Sequence, residues 1–294
     1  MKKIFYLAAA MSIVAFASCE KQGGKEDDKE AIKVTVAEDA LVLHLPFEDG
    51  SVAVGEGVTF ASKEGKAELV DGFIGKAYTN TSGDAKEAGY LKYNLAATNC
   101  INSLKSFTFS AWVKRPALGS GAFFSVNGGE HDWGSTFHLM FDNTGVGEDG
   151  ATYQQFNARI DSYKQGEDGN KFQASCWPNV QGPEFAKVDE WFHVARTYDA
   201  ATGAWKVYVD GVQTHDGVHE FGDPAGPFGD LDLASPTMNA LYIGGWAAII
   251  DGVNNQDWMT FFNGSIDEVR MYNRALTDQE IGQLWQQEKL INLE

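Results

Sequence analysis

Asp267 and Glu268 interrupt an apolar run, Ile266-Asp267-Glu268-Val269, near the C-terminus. A carboxylate in that setting can ligate a metal, act as a catalytic acid or sit solvated at a strand edge. A second set of residues has the types that hold a sugar. Sugars have apolar CH faces and many hydroxyls, so aromatic stacking with carboxylate and amide hydrogen bonds would retain a neutral glycan. Four tryptophans fall in polar or Gly-rich stretches: Trp133 in GGEHDWGS, Trp177 in SCWPNVQG, Trp246 in IGGWAA and Trp258 in NNQDWMT. His131, Asp132, Asn179 and Asp257 stand beside them as polar partners. The alternative role of these tryptophans is to cover the hydrophobic edges of a sheet. Trp112, Trp191 and Trp205 lie in strand-like runs and Trp285 on a helical stripe, where packing is the expected role. His193, beside Trp191 and Phe192, reads as a structural histidine. No Gly-x-Ser-x-Gly, Cys-x-x-Cys or zinc-like cluster of Cys and His is present.

The elements that must position these residues are mostly strands. LVLHLPFEDGS reads as a strand ended by an Asp-Gly turn. SFTFSAWVKR alternates, with Phe107, Phe109, Ala111 and Val113 on one face. EWFHVARTYDAATGAWKVYVDGVQTHDG holds three β-rich runs. Asp210-Gly211 joins the last two and signals a hairpin, because both turn residues must tolerate positive φ. NALYIGGW is a further short strand. One helix is expected after Thr277, where Thr277 and Glu280 form a capping box and Leu276 and Ile281 a staple. It is expected to pack on an edge of the sheets. Many short strands with Gly-rich turns predict an all-β sandwich.

The N-terminus reads as a targeting segment. Lys2 and Lys3 precede an apolar stretch, Ile4 to Ala17, that ends in Ala17-Ser18-Cys19. The stretch is short for a membrane span. It resembles a bacterial lipoprotein signal, which implies lipidation of Cys19. Phe16 departs from that motif, and an ordinary signal peptide is the alternative. Residues 20–38 are charged and read as a flexible acidic tether, since they carry too little apolar surface to offset ordering entropy. An acidic stretch in this place resembles the surface-export signal of Bacteroidetes. It implies an outer-membrane lipoprotein at the cell surface, with a periplasmic face as the alternative. Membrane contact would be through the lipid anchor alone, and other surface glycan-uptake proteins would be its neighbours. A net charge of −18 disfavours nucleic acid and anionic lipid as partners. Cys100 and Cys176 could pair in an oxidising compartment.

Three segments, SFTFSAWVKR, EWFHVARTYDAATGAWKVYVDGV and LYIGGW…FFNGSIDEVRMYNRALTDQEI, resemble laminin-G-like domains of the concanavalin A-like lectin/glucanase superfamily. The resemblance spans about residues 41–290 and places the domain at 39–294. It implies a jelly-roll sandwich of two antiparallel sheets, with carbohydrate on the concave face or its rim. It also implies a structural calcium held by Asp267, by Glu48 or Asp49, and by a carbonyl near Gly75. Carboxylates and carbonyls are the hard oxygens calcium takes. The alternative for Asp267 is capping a turn or pairing with Arg270. Retaining glucanases of the superfamily carry Glu-x-Asp-x-x-Glu or Glu-x-Asp-x-Glu on one strand. The longer pattern is absent. The shorter occurs once, at Glu26, Asp28 and Glu30, inside the tether. Non-catalytic glycan binding is therefore the leading expectation. A glycoside hydrolase or lyase with a non-standard site, and a protein-binding adhesin, are the alternatives.

Overall fold

Phe107, Phe109, Ala111 and Val113 all enter one core, as the alternation of the strand Phe107–Lys114 requires. The computed structural model describes residues 33–80, 89–129, 134–166, 169–176 and 178–293. Two antiparallel sheets enclose this core and form the expected sandwich. The first sheet runs in the order Val212–Val218, Ala204–Val209, Phe192–Tyr198, Phe107–Lys114, Gly264–Tyr272, Leu41–Leu45 and Val54–Gly55. Lys76–Asn80 also pairs with Gly264–Tyr272, and Glu68–Asp71 pairs with Lys76–Asn80. The second sheet runs Lys171–Cys176, Thr152–Gln165, Ser135–Val146, Gly121–Asn127, Ala240–Ile243, Tyr90–Leu95 and Val58–Glu64. Asn179–Gly182 pairs along Thr152–Gln165.

The Asp210-Gly211 hairpin forms as expected, with both residues at positive φ (49° and 77°). The C-terminal helix Asp278–Asn292 starts with the complete Thr277–Glu280 capping box. It does not pack on an edge. Ile281 and Leu284 lie against Ala195, Tyr208 and Tyr272 on the outer face of the first sheet. Those residues make that face apolar, and the helix stripe covers it.

The outer face of the second sheet is covered differently. Trp246, Ala248 and Met259 sit over Ala122 and Met140. Residues 33–38, part of the expected tether, join the fold. Val36 is buried against the helix cluster, and Thr35 N–H donates to Gln287 Oε1 at 2.8 Å. Cys100 and Cys176 are both free and buried, so the disulfide is not formed. Burial pushes each thiol up to about 12. Cys19 and the expected signal segment lie outside the described residues.

Candidate functional site

The acidic pair is built by a β-bulge. The register of Gly264–Tyr272 shifts between Asp267 and Arg270, and Glu268 adopts φ 49°. Both carboxylates are thereby buried, in separate surroundings. Glu268 accepts from Arg270 Nη2 and lies 2.8 Å from His44 Nε2. Arg270 Nε donates to Glu288 Oε1 on the helix at 2.9 Å. Trp112 Nε1–H donates to Glu288 Oε2 at 2.8 Å and its ring stacks on Phe73. Trp112, on the opposite face of its strand from Phe107, Phe109, Ala111 and Val113, thus faces the helix and not solvent. Arg270 and His44 hold Glu268 below its ordinary value against desolvation. Burial pushes Glu288 up to about 7. His193 is fully buried at Trp112, which pushes it down to about 4. This network ties the helix to the sheet and presents no surface for chemistry.

Asp267 meets a turn. Its Oδ2 accepts from Phe73 N–H and Ile74 N–H, each at 2.8 Å, and its Oδ1 from Glu268 N–H at 2.8 Å. Arg270 is engaged elsewhere, so of the two non-metal alternatives the turn cap is the one observed. Glu48 reaches the other end of the same turn. Its Oε1 accepts from Lys76 N–H at 3.2 Å and packs where a Gly75 side chain would stand. Gly75 has φ 55° and its carbonyl accepts from Gly72 N–H. Asp49 turns away and accepts from Ser51 N–H. Glu48, Gly75 and Asp267 therefore converge on residues 72–76, whereas Asp49 does not. Burial pushes Asp267 up to about 9 against the pull of the three N–H donors. Among the described residues no cationic side chain pairs with it, and no three His, Cys, Asp or Glu side chains form a metal-binding group. A cation here would draw on Asp267, Glu48 and backbone carbonyls, which are the oxygen types calcium takes.

A cleft of about 350 Å³ opens at the rim of the second sheet. Three segments distant in sequence form it. Residues 115–120 follow the strand Phe107–Lys114, Asp142 and Asn143 lie on Ser135–Val146, and residues 258–263 precede the last strand. A parallel bridge between Ala122 and Phe261 holds the third segment in place. Trp258 lines the cleft and is 42% exposed. Its ring edges onto Trp246, 5.3 Å between centroids, and Trp246 packs on His138. Asp142 is half-buried. Its Oδ1 accepts from Ser120 Oγ at 3.4 Å and its Oδ2 from Asn157 Nδ2 at 3.1 Å. Burial holds it above the ordinary carboxylate value. Thr260 Oγ1 and Asn263 Oδ1, in the cleft walls, have no hydrogen-bond partner among the described residues. Among the described residues Arg115 is the cleft's cation, and it is buried. Its nitrogens donate to Lys187 O, Gln154 Oε1 and Phe185 O, and its guanidinium lies 4.0 Å above the Phe141 ring.

The anticipated sugar-binding residues are only partly brought together. Trp258 lines the cleft, with exposed Asp257 next to it in sequence. Asn179 is exposed on Asn179–Gly182 and pairs in register with Asn157, the partner of Asp142. Trp246 is fully buried, so it supports Trp258 and offers no face of its own. His131, Asp132, Trp133 and Trp177 lie outside the described residues. Sequence reasoning missed Asp142, Asn143 and Ser120. The signal for Asp142 was the alternation Thr136, His138, Met140, Asp142, which puts it on the outer face opposite Phe137, Leu139 and Phe141.

A solved structure with this fold is the binding domain of botulinum neurotoxin DC in complex with rat synaptotagmin II. It has a TM-score of 0.51 and 14% identity, over 85% of this chain and 52% of that one. A botulinum neurotoxin type C structure, described as dependent on two ganglioside molecules for cell entry, has a TM-score of 0.52 and 16% identity, over 85% and 51%. The chain thus spans about half the length of these neurotoxin domains. Domain 4 of the arabinanase AbnA from Geobacillus stearothermophilus, in complex with arabinotriose, is 22% identical with a TM-score of 0.46, over 83% of this chain and 98% of that one. No curated protein sequence matches the chain. The family model Laminin_G_3 matches residues 87–282, and with it the chain belongs to the concanavalin A-like lectin/glucanases superfamily.

Proposed function

We propose that the protein binds carbohydrate without catalysis, through the cleft of Trp258 and Asp142. The observation that carries this reading is a half-exposed indole, braced from behind by Trp246, beside a carboxylate, a hydroxyl and two amides. An indole face suits the CH face of a sugar, and the polar groups suit its hydroxyls. The same architecture serves a neurotoxin domain whose cell entry depends on gangliosides. The described acid on the strand beside Asp142, Asp161, does not form a glycosidase pair with it. Asp161 lies four residues from Asn157 on the same strand, on the order of 13 Å along it. That exceeds the roughly 5–9.5 Å a glycosidase pair needs. Asp161 also accepts from Arg159 Nε and Ser175 Oγ. Affinity electrophoresis against plant, host and microbial polysaccharides tests the reading. Retardation by at least one glycan, without shortened products, is expected. Shortened products would establish an enzyme instead, and no retardation would favour a protein-binding adhesin.

The N-terminal Lys2-Lys3 start and Cys19 support anchoring of this domain through lipid at the outer membrane, on the cell surface. Calcium at the 72–76 turn is the second part of the proposal. Asp267 would be a ligand from the last strand, Glu48 from the segment after the first, with carbonyls of the turn between them. Without a cation, the folded state holds a proton on Asp267 that the unfolded chain has lost above its ordinary value near 4. Stability should then fall as pH rises from about 4 towards about 9. Calcium should raise the melting temperature and flatten that slope, and chelator should restore it. A melting curve indifferent to calcium at pH 8 would remove the metal from this account.

A further inference from the structure

The valences the cleft leaves open are mostly acceptors. Asp142 accepts from Ser120 Oγ and Asn157 Nδ2, with Asn143 N–H a further donor, so among the described residues it falls short of the roughly four hydrogen bonds a carboxylate can take. Ser120 donates its hydrogen to Asp142, so its remaining capacity is to accept. Asn263 Oδ1 and Thr260 Oγ1 also lack a partner among the described residues, but both atoms are buried from solvent. Asn143 is exposed, with its Nδ2 turned to Gln155 Oε1 at 3.4 Å. Arg115, which could have met an anion, is 2% exposed and turns a donor from each guanidinium nitrogen to a protein oxygen, so burial keeps it from the opening. Among the described residues no other cationic side chain lines the cleft.

We propose that this cleft selects neutral polyhydroxyl sugars and rejects sugars bearing a carboxylate, such as uronic or sialic acid units. The inference rests on the carbohydrate reading above and adds the charge class of the ligand. Hydroxyl groups bring the donors that Asp142 and Ser120 can accept. A ligand carboxylate brings only acceptors and a second negative charge. Asp142 is already short of water, as its raised value shows, so the repulsion would be weakly screened. The chain's overall charge of −18 acts in the same direction over longer range.

The test uses the full chain and matched pairs of polymers: galactan, mannan and xyloglucan, each native and with part of its primary hydroxyls oxidised to carboxylates. Carboxyl reduction of the oxidised samples controls for chain damage. A polymer retained in native form is expected to bind about tenfold or more weakly when oxidised. The gap should persist at high ionic strength, where the general repulsion is screened, and shrink in Asp142→Asn. The ratio of the two affinities is the readout, so a uniform loss in the variant does not mimic the effect. Equal or tighter binding of the oxidised form overturns the inference and leaves the carbohydrate reading intact. A gap that vanishes with salt, or is unchanged in Asp142→Asn, also overturns it, because the discrimination would not arise at this carboxylate. Failure of every native and oxidised polymer to bind overturns both.

Discussion

Arg270→Met is expected to destabilise the fold by about 3–5 kcal/mol, a large fraction of what holds a domain together. Arg270 stands between two buried carboxylates, Glu268 and Glu288. Its removal leaves both without their shared cation, and only Glu268 keeps His44. The loss should deepen as pH rises. Glu288 is already pushed up to about 7, and without Arg270 it would hold its proton more tightly still. The unfolded chain loses that proton near the ordinary value of 4.5. Between the two values the folded state binds more protons, so stability falls with increasing pH. Urea unfolding at pH 5 and pH 8 checks both size and sign, with an unchanged m-value showing that the transition is still comparable. Converting Glu288 to Met as well should recover part of the loss, since the uncompensated charge goes with it. A shift under about 1 kcal/mol in the single variant would mean that water reaches the network and compensates it.

Trp258→Ala should weaken glycan retention about thirtyfold or more, the cost of truncating an aromatic anchor of about 2 kcal/mol. Its effect on the urea midpoint should be small, because the ring is 42% exposed. Trp246→Ala should behave in the opposite way. That indole is fully buried against His138 and the rear of Trp258, so its loss opens a cavity costing about 3–5 kcal/mol. Binding would then fall with the fold. Two tryptophans twelve residues apart in sequence are thus separable by measuring affinity and stability together. Full affinity in Trp258→Ala would move the sugar site elsewhere on the sandwich.

Much of the architecture was legible because it is local. A period of two put Phe107, Phe109, Ala111 and Val113 in the core. Asp210-Gly211 made its hairpin, and Thr277 capped its helix through Glu280. Each depends on backbone preference and on which side of a short segment meets water. The placement of the helix was misread because amphipathicity says that a stripe must be covered, and not what covers it. The outer face of the first sheet, with Tyr208 and Tyr272, was the partner. The convergence of Glu48, Gly75 and Asp267 on one turn was legible only through resemblance, since 219 residues separate Glu48 from Asp267.

By itself, then, the sequence determined the strands, the turns, the capped helix and the family they compose. It did so because alternation, positive-φ residues and a capping box act within a few residues of one another. Only the tertiary structure decided what the acids and tryptophans do. A bulge buried Asp267 and Glu268 towards different partners, a fully buried Trp246 became the brace of Trp258, and Asp142 emerged at the cleft from a strand with no motif. The reason is physical: hydrogen-bond partners, desolvation and exposure are properties of side chains from distant segments, and these meet only when the two sheets have closed on their core.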